Sequence, residues 1–390
     1  SHKIKKLFLN SRFPYFTSPL KKKKLSQLNF ILKNRKKFNK LNSWYCLDCS
    51  HTFLKEIPDM KVISELYNKF YNYPSALKKG FDPIRDNNFL KIFKKKNNIL
   101  KKNSKVLEIG CFDGYIINKL KKNFDVYGCD PSPGASIGIK KGLKIKRSFF
   151  TKNLYKNNKF DIIIARHILE HIVNLKNFLK DVKQNLSDKG YLVLEVPNID
   201  FFLKKGLPSV FSLQHIQYFN SSSIEKLLSL NHLKIISLTK SDENLIIFAK
   251  KFEGKNKLKF KKKLHLQRKF KNNLLKIKQK INNFIIKESI KNDEIVIWGA
   301  GGFGIGFLNF FDLDLKLIKL FVDKDPQKVG CKYYGLEKSI FLPLFRYLNN
   351  SKLIIITSMY SKQILKELRA KKIKKNIITL YPNLKFYNAK

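Results

Sequence analysis

The chain has 390 residues, with 80 Lys or Arg against 29 Asp or Glu and a formal net charge of +51. This length exceeds one ordinary hydrophobic core, so two or three domains are expected, and a hydrophobic content of 43% excludes wholesale disorder. The chain shows no run of about 18 apolar residues, no secretion signal and few cysteines, so a soluble, cytoplasmic protein without a membrane partner is predicted.

The positive charge is compatible with two origins. Dense basic residues neutralise nucleic-acid phosphates. However, the excess here is nearly all Lys rather than Arg, and Lys is enriched together with Asn, Ile and Phe. Because AT-rich codons produce that combination, we favour codon bias over a dedicated nucleic-acid surface, and we expect no specific nucleic-acid partner.

The N-terminal region, predicted as residues 1–75, is basic and contains a pair of cysteines, Cys46 and Cys49. The C-x-x-C spacing is that of a zinc knuckle, although free thiols are the alternative. Helical patterns follow over 58–73 and 84–103.

Strands and helices then alternate, which predicts an α/β fold with a parallel sheet in a domain spanning 76–250. A Lys-rich helical connector is expected over 251–293, and a second, smaller α/β domain over 294–390. The predicted strands of the first domain are 105–110, 124–130, 160–165 and 190–196, with a helix over 116–122.

A glycine loop follows the first strand of this domain, in the segment Glu108-Ile109-Gly110-Cys111-Phe112-Asp113-Gly114. Glycines at this position let a ligand approach the backbone. The acidic residues would repel a pyrophosphate but suit a cationic ligand. The next strand ends in Asp130, whose carboxylate is placed to accept ribose hydroxyl protons.

These motifs, with the later segment FDIIIARHILEHI, resemble those of class I S-adenosylmethionine-dependent methyltransferases. The resemblance implies a Rossmann-like fold and S-adenosylmethionine as the cofactor. It implies that the cofactor is bound by Glu108, Gly110, Cys111, Asp113, Gly114, Asp130, Pro131, Arg166 and His167.

The order of segments resembles a narrower family, the three-domain methyltransferases that act on nucleotide-linked keto sugars at carbon. The matching segments are Cys46-x-x-Cys49, VLEIGCFDG, LEHI, EVPN, HIQYF, WGAGGFG and FVDKDPQKVG, together with Leu66-Tyr67 and Tyr71-Asn72-Tyr73. That family has two C-x-x-C pairs binding one zinc, whereas one pair is present in the first hundred residues here. We hypothesise that the second pair precedes Ser1.

The substrate loop departs from the family pattern, because its Y-H-E-H is here Ser212-Leu213-Gln214-His215. His215 is the candidate general base, or else it packs the loop against the core. The missing tyrosine leaves O-methylation of a sugar open beside C-methylation. Asn198 and Tyr218 are candidate substrate-binding residues, with a turn cap as the alternative for Asn198. The segment around Glu170 and His171 either shapes a helix start or supplies an acid or base.

A second glycine loop, Gly299-Ala300-Gly301-Gly302-Phe303-Gly304, lies about twenty residues before Asp323. The pattern is that of an NAD site, but the remaining domain is short. We favour binding of the substrate nucleotide through Gly299, Gly301 and Gly304, or a structural role, over NAD.

The sequence therefore predicts an enzyme, a methyltransferase whose small-molecule acceptor is a nucleotide-linked sugar. Its alternatives are an O- or N-methyltransferase of glycan or secondary-metabolite synthesis, and a basic nucleic-acid-binding protein with a vestigial methyltransferase fold. Monomer and homodimer are both left open.

Overall fold

The computed structural model describes residues 3–14, 17–33, 38–71, 75–77, 83–96, 102–156, 158–241, 243–254 and 264–389. The strands are β1 (Ile4–Pro14), β2 (Phe38–Cys46), β3 (Thr52–Leu54), β4 (Lys105–Ile109), β5 (Asp125–Cys129), β6 (Ile145–Lys146), β7 (Phe160–Arg166), β8 (Leu186–Pro197), β9 (Gln217–Tyr218), β10 (Leu233–Lys240), β11 (Asn244–Lys251), β12 (Ile295–Trp298), β13 (Ile318–Val322), β14 (Ile340–Phe341), β15 (Leu353–Ile356), β16 (Asn376–Thr379) and β17 (Lys385–Tyr387). The helices are α1 (Lys22–Leu32), α2 (Met60–Phe70), α3 (Ile84–Lys94), α4 (Tyr115–Leu120), α5 (Ala135–Lys140), α6 (Leu175–Asn185), α7 (Ile199–Lys205), α8 (Ser221–Leu230), α9 (Leu264–Lys287), α10 (Gly302–Phe311), α11 (Phe345–Asn349) and α12 (Ser361–Ala370).

The middle sheet has the strand order β10-β11-β8-β7-β4-β5-β6. Strands β4 to β8 are parallel, and β11 pairs antiparallel with both β8 and β10. This architecture confirms the predicted Rossmann-like α/β fold, with the addition of an antiparallel hairpin at one edge.

Alternate residues of the middle strands enter two different cores. Val106 and Ile162 face the core that contains α3 and α4, whereas Leu107 and Ile163 face the core that contains α6 and α8. Because both faces of the sheet are covered, β4 and β7 are almost continuously apolar, as expected for buried parallel strands.

The C-terminal sheet has the order β14-β13-β12-β15-β16-β17 and is parallel except for β17. Its central strand again alternates between two cores, with Ile295 and Ile297 on one face and Val296 and Trp298 on the other. The second α/β domain predicted from the sequence is therefore present as a Rossmann-like unit.

The N-terminal sheet, in the order β1-β2-β3-β9, is antiparallel. Its edge strand β9 comes from the segment after His215, and Thr52 pairs with Tyr218 in the register. The N-terminal region thus shares a sheet with the middle part of the chain. The border predicted at residue 75 is crossed by backbone pairing.

Helix α9 joins the middle and C-terminal units, but the connector is less helical than predicted. Strand β11 continues to Lys251, and the helix spans Leu264–Lys287. Residues 255–263 of the connector lie outside the described residues. One face of α9 buries Phe270 between Phe8 and Phe211, at ring-centroid distances of 6.0 and 5.6 Å.

The helix predicted over 84–103 is shorter in the structure, since α3 ends at Lys94. The apolar positions Phe89, Leu90 and Phe93 are buried, whereas Lys95 and Lys96, which follow the helix, supply no apolar side chain to continue the packed face. Residues 97–101 of that prediction, residues 72–73 of the family motif and Ser1 lie outside the described residues.

No helix within the described ranges is long and apolar enough to cross a membrane.

Replacement of Phe270 by Ala is expected to lower the free energy of unfolding by about 3–5 kcal/mol, because it leaves a cavity where a fully buried ring stood. The measurement is urea unfolding followed by circular dichroism. Leu275 lies on the same helix with 48% of its surface exposed, so Leu275→Ala is the matched control. Equal effects of the two substitutions would contradict the docking of α9.

Candidate functional site

The carboxyl ends of four neighbouring strands form one edge of the middle sheet. The chain runs from β4 outward to β5 and β6, then returns to β7 on the other side of β4. In open α/β sheets, ligands bind at such a reversal of strand order. The predicted site residues that follow β4, β5, β7 and β8 are therefore brought to a common edge.

The glycine loop after β4 is held close to its neighbours. Gly110 has a φ of +74°, and its amide donates to the Cys129 carbonyl over 2.8 Å. A Cβ at Gly110 would lie 2.1 Å from the Ile168 side chain. Gly114, with a φ of +81°, precedes α4. The loop therefore needs glycine at both positions to pass between β5 and the turn after β7.

Asp113, within this loop, has its carboxylate occupied by the protein. One oxygen accepts from the Ser75 hydroxyl at 2.7 Å and from the Leu77 amide at 3.1 Å, and the other accepts from the Tyr115 amide at 3.0 Å. These bonds hold the segment 75–77 over the loop. The structure thus gives Asp113 a local role, and its predicted contact with the cofactor stays a prediction.

Asp130 lies directly after β5 and is nearly buried. Its Oδ2 accepts from the Phe112 amide at 2.9 Å, and its Oδ1 accepts from the Ser132 amide at 2.8 Å. Burial raises the pKa of Asp130, and the hydrogen bonds from Ser132 and Phe112 act against that increase. Each carboxylate oxygen has two acceptor positions, so Oδ2 can accept one further hydrogen bond. Pro131 follows and is partly exposed.

Arg166 ends β7 and is the centre of a buried ion network. Its Nε donates to Glu195 at 2.7 Å and its Nη1 to Asp86 at 2.8 Å, while the guanidinium lies 4.4 Å from the centre of the Phe89 ring. The side chain is 8% exposed. Its positive charge is therefore compensated within the protein, and direct contact with a cofactor stays a prediction.

Glu108 lies beside this network on β4 and is 3% exposed. Burial raises the pKa of its carboxyl well above the usual range, while Arg166 acts in the opposite direction. Among the described residues, its Oε2 has no hydrogen-bond partner. A buried acceptor without a partner costs about 1–3 kcal/mol, so a cationic or proton-donating ligand at this edge would be stabilised. The Cys111 thiol is also buried here.

Two histidines meet beside the turn that follows β7. The rings of His171 and His215 are 4.8 Å apart in an edge-to-face arrangement. The Nδ1 atoms of His171 and His215 lie 2.8 Å from the carbonyl oxygens of Gln214 and Val210, respectively. Because a carbonyl only accepts, both Nδ1 atoms carry a proton in the neutral rings, and the lone pairs are on Nε2.

The surroundings of this pair favour neutral imidazoles. Burial, followed by the proximity of His171, lowers the pKa of His215 to about 4, and burial also lowers the pKa of His171. The Tyr67 hydroxyl lies 3.0 Å from the Nδ1 of His171. In the sequence, Tyr67 is part of a segment that matches the family and is not predicted as a site residue. It lies on α2, 104 residues before His171 in the chain, and the packing of α2 brings the two side chains together.

His167, the first residue after β7, has a φ of +52°. Its Nδ1 donates to Glu170 at 3.2 Å, and its backbone amide donates to the Glu195 carbonyl at 2.8 Å. The positive φ turns the chain sharply, so that Glu170 and His171 face the loop carrying His215. Glu195 was likewise not predicted as a site residue, although its position in EVPN opposite Arg166 is a usable signal.

Asn198 begins α7 and borders a cavity of about 450 Å³, whose other lining residues include Asp200, Phe201, Lys204, Lys240 and His265. Its backbone amide donates to the Glu243 carbonyl at 2.6 Å, and no side-chain cap hydrogen bond is formed. Tyr218 is 2% exposed and its hydroxyl donates to the Ser212 carbonyl, so its side chain supports the loop. Its contact with substrate stays a prediction.

The second glycine loop follows β12, where Gly299 has a φ of +122° and Gly301 precedes α10. A Cβ at Gly304 would lie 2.6 Å from the Gly299 carbonyl oxygen. The Oδ2 of Asp323 accepts from the Ala300 amide at 2.8 Å and from Lys328 at 2.9 Å. Its Oδ1 accepts from the Asp325 amide at 2.9 Å and keeps one acceptor position, so the choice between a substrate nucleotide, a structural role and NAD stays a prediction.

Cys46 and Cys49 lie on the turn between β2 and β3. The Asp48 amide donates to the Cys46 sulfur at 3.4 Å. Burial raises the pKa of the Cys49 thiol, the backbone near His51 acts against this, and Cys46 adds to the increase. The two sulfur atoms are therefore neighbours. In sequence, they precede both glycine loops by more than fifty residues.

Comparisons with known proteins match two parts of the chain and one relative. Residues 84–238 match a family described as a methyltransferase domain, and residues 248–376 match a C-methyltransferase C-terminal domain. An uncharacterized protein of Methanocaldococcus jannaschii is 30% identical over 165 residues, which cover 40% of this chain and 70% of the relative.

Two solved structures are also similar. A S-adenosylmethionine-dependent methyltransferase from Clostridium acetobutylicum is 16% identical and covers 50% of this chain and 100% of its own, with a TM-score of 0.36. A SAM-dependent methyltransferase from Aquifex aeolicus is 17% identical and covers 43% of this chain and 98% of its own, with a TM-score of 0.34.

The fold and the two domain matches define a S-adenosylmethionine-dependent methyltransferase, with S-adenosylmethionine as methyl donor and a small molecule as acceptor. The chain belongs to the same family as the Methanocaldococcus jannaschii protein. The acidic edge formed by Glu108 and Asp130, with Arg166 already compensated, fits a donor that carries a sulfonium and an ammonium group.

If Asp130 binds the ribose of the donor, Asp130→Asn should weaken binding of S-adenosylhomocysteine at least roughly tenfold, which corresponds to about 1.4 kcal/mol. The measurement is isothermal titration calorimetry. The control is Asp188→Asn, because Asp188 is fully exposed and pairs only with Lys251 in the described contacts. Unchanged affinity in Asp130→Asn would show that the ribose is bound elsewhere.

Proposed function

We propose that this enzyme methylates a carbon atom of a nucleotide-linked keto sugar. The observation that carries the proposal is the pair His171 and His215, whose Nδ1 atoms are tied to backbone carbonyls beside the edge of the methyltransferase sheet. The match of residues 248–376 to a C-methyltransferase C-terminal domain supports carbon as the acceptor atom.

The donor would be held by residues after β4 and β5. Asp130 would accept the ribose hydroxyl protons, and the Gly110 loop with Glu108 would face the methionine part. When bound, S-adenosylmethionine supplies a methyl group already activated by its sulfonium. The protein therefore has to orient the acceptor and remove one proton.

His215 would remove that proton. Its neutral form is available at physiological pH because burial lowers its pKa to about 4. A neutral imidazole can accept a proton from a carbon next to a carbonyl or from a hydroxyl, and the C-methyltransferase C-terminal domain match is what favours carbon. The Tyr67 hydroxyl lies 3.0 Å from the Nδ1 of His171, so a tyrosine is adjacent to the pair although residues 212–215 contain none.

The acceptor would lie between the middle and C-terminal units. Asn198 borders the cavity beside α7, and α10 packs against the segment 208–210 that precedes His215. The Gly299, Gly301 and Gly304 loop opens α10, whose N-terminal amides would favour a phosphate group. This placement supports a nucleotide-linked acceptor.

His215→Asn should lower kcat for methyl transfer to a keto nucleotide-sugar by about 10²–10⁴-fold, because the general base is lost. Binding of S-adenosylhomocysteine should remain within about twofold of the parent, since His215 is not among the proposed donor ligands. Transfer of a labelled methyl group is the measurement, and exposed His232→Asn is the control. Activity of His215→Asn equal to that of the control would exclude His215 as the base.

We also propose that Cys46 and Cys49 supply half of a zinc site. The amide donated to the Cys46 sulfur is a contact that stabilises a thiolate. Strand β1 pairs Ile4 with Cys46, and the Leu47 amide donates to the Lys3 carbonyl. The described beginning of β1 is thus adjacent to the pair.

The zinc proposal predicts that the natural enzyme retains about one zinc per chain. The double variant Cys46→Ser/Cys49→Ser should lose that metal, whereas the buried Cys331→Ser should keep it. Elemental analysis after dialysis against a chelator measures the content. Equal zinc in both variants would place the metal elsewhere.

A further inference from the structure

A second cluster of metal-ligating groups lies beside the glycine loop, apart from the cysteines. One possible ligand atom from each of Glu170, His171 and His215 lies within 4.8 Å of the others. Two imidazoles and one carboxylate are the ligand set of several catalytic zinc sites and of non-haem iron sites. Glu170 and His171 come from the turn after β7, and His215 comes from the loop before β9.

Both imidazoles are oriented as metal ligands usually are. A ligating histidine donates its other ring N–H to a carbonyl or carboxylate, which fixes the tautomer. The Nδ1 of His171 is bound to the Gln214 carbonyl, and that of His215 to the Val210 carbonyl. Both Nε2 lone pairs are therefore available without any change of tautomer.

The Glu170 carboxylate supplies the third possible ligand atom. Glu170 is 1% exposed, its Oε1 accepts from His167, and among the described residues its Oε2 has no hydrogen-bond partner. A buried carboxylate oxygen without a partner is costly, and coordination of a cation is one way to compensate it. The bond from His167 would orient the carboxylate from the far side.

We propose that Glu170, His171 and His215 bind one divalent transition-metal ion, and that this binding blocks the base. The metal would occupy the same Nε2 lone pair of His215 that accepts a proton in the reaction. Only this inhibitory part rests on the proposed function. Ligand atoms in a tetrahedral zinc site lie about 3.4 Å apart, so the cluster must contract by up to about 1.4 Å.

The test is a titration of Co²⁺ into chelator-stripped Cys46→Ser/Cys49→Ser protein, followed by visible absorption. One equivalent should give d–d bands without a thiolate charge-transfer band. Glu170→Gln and His171→Asn, each in this background, should weaken binding at least about tenfold, whereas His232→Asn should leave it within about twofold. Binding of S-adenosylhomocysteine by each variant verifies that it is folded.

Absence of Co²⁺ binding in folded Cys46→Ser/Cys49→Ser protein would overturn the inference, as would binding unaffected by Glu170→Gln and His171→Asn. If the double variant does not fold, the parent protein is titrated with and without Glu170→Gln, and this substitution should reduce the d–d absorption while leaving the thiolate charge-transfer band unchanged. Inhibition of methyl transfer by Co²⁺, reversed by a chelator, is expected in addition. If the protein binds Co²⁺ at this cluster but methylates no keto sugar, the proposed function is wrong and the metal site still stands.

Discussion

The structure depends on how the loop that carries His215 is held against the sheet edge. Strand β9 pairs with β3 immediately after this loop, and the Ile216 amide donates to the Glu170 carbonyl at 2.7 Å. Inside the loop, the Gln214 carbonyl accepts from His171. Backbone contacts from the N-terminal sheet and from the turn after β7 thus hold His215 next to His171. Because these contacts are hydrogen bonds of the main chain, they position the loop more rigidly than side-chain packing alone.

The charges at the same edge are also arranged by contacts within the protein. Arg166 is surrounded there by Glu195, Asp86 and the Phe89 ring. Arg166 stabilises the sheet edge and leaves Glu108 and Asp130 as the acidic groups at the glycine loop. Burial raises the pKa of both carboxyls, and a cationic ligand beside them would favour their ionised forms. An acidic edge attracts a cationic methyl donor and disfavours the diphosphate of a dinucleotide.

The sequence predicted the parts of the fold that local patterns control. The apolar runs of β4, β5 and β7 and the glycine loops were assigned correctly, because buried parallel strands are apolar along their whole length. The N-terminal sheet was not predicted, since β1 is rich in Lys and β9 has only two residues. Their pairing depends on contacts between distant segments.

For the candidate site, the sequence predicted the residues that lie in motifs and did not predict the long-range pairs. Motif spacing indicated Gly110, Asp130 and His215, whereas Tyr67 next to His171 and Asp86 next to Arg166 could not be found by spacing. Those pairs are 104 and 80 residues apart. Such contacts are set by how α2 and α3 pack on the sheet, which no local pattern encodes.

The proposed role of His215 is to remove a proton from a carbon atom of the acceptor. The most direct measurement is exchange with solvent deuterium at the carbon next to the carbonyl of a keto nucleotide-sugar, with S-adenosylhomocysteine present so that no methyl is transferred. The enzyme should catalyse this exchange, and His215→Asn should not. Absence of exchange in an enzyme that methylates a hydroxyl of the same sugar would contradict the account.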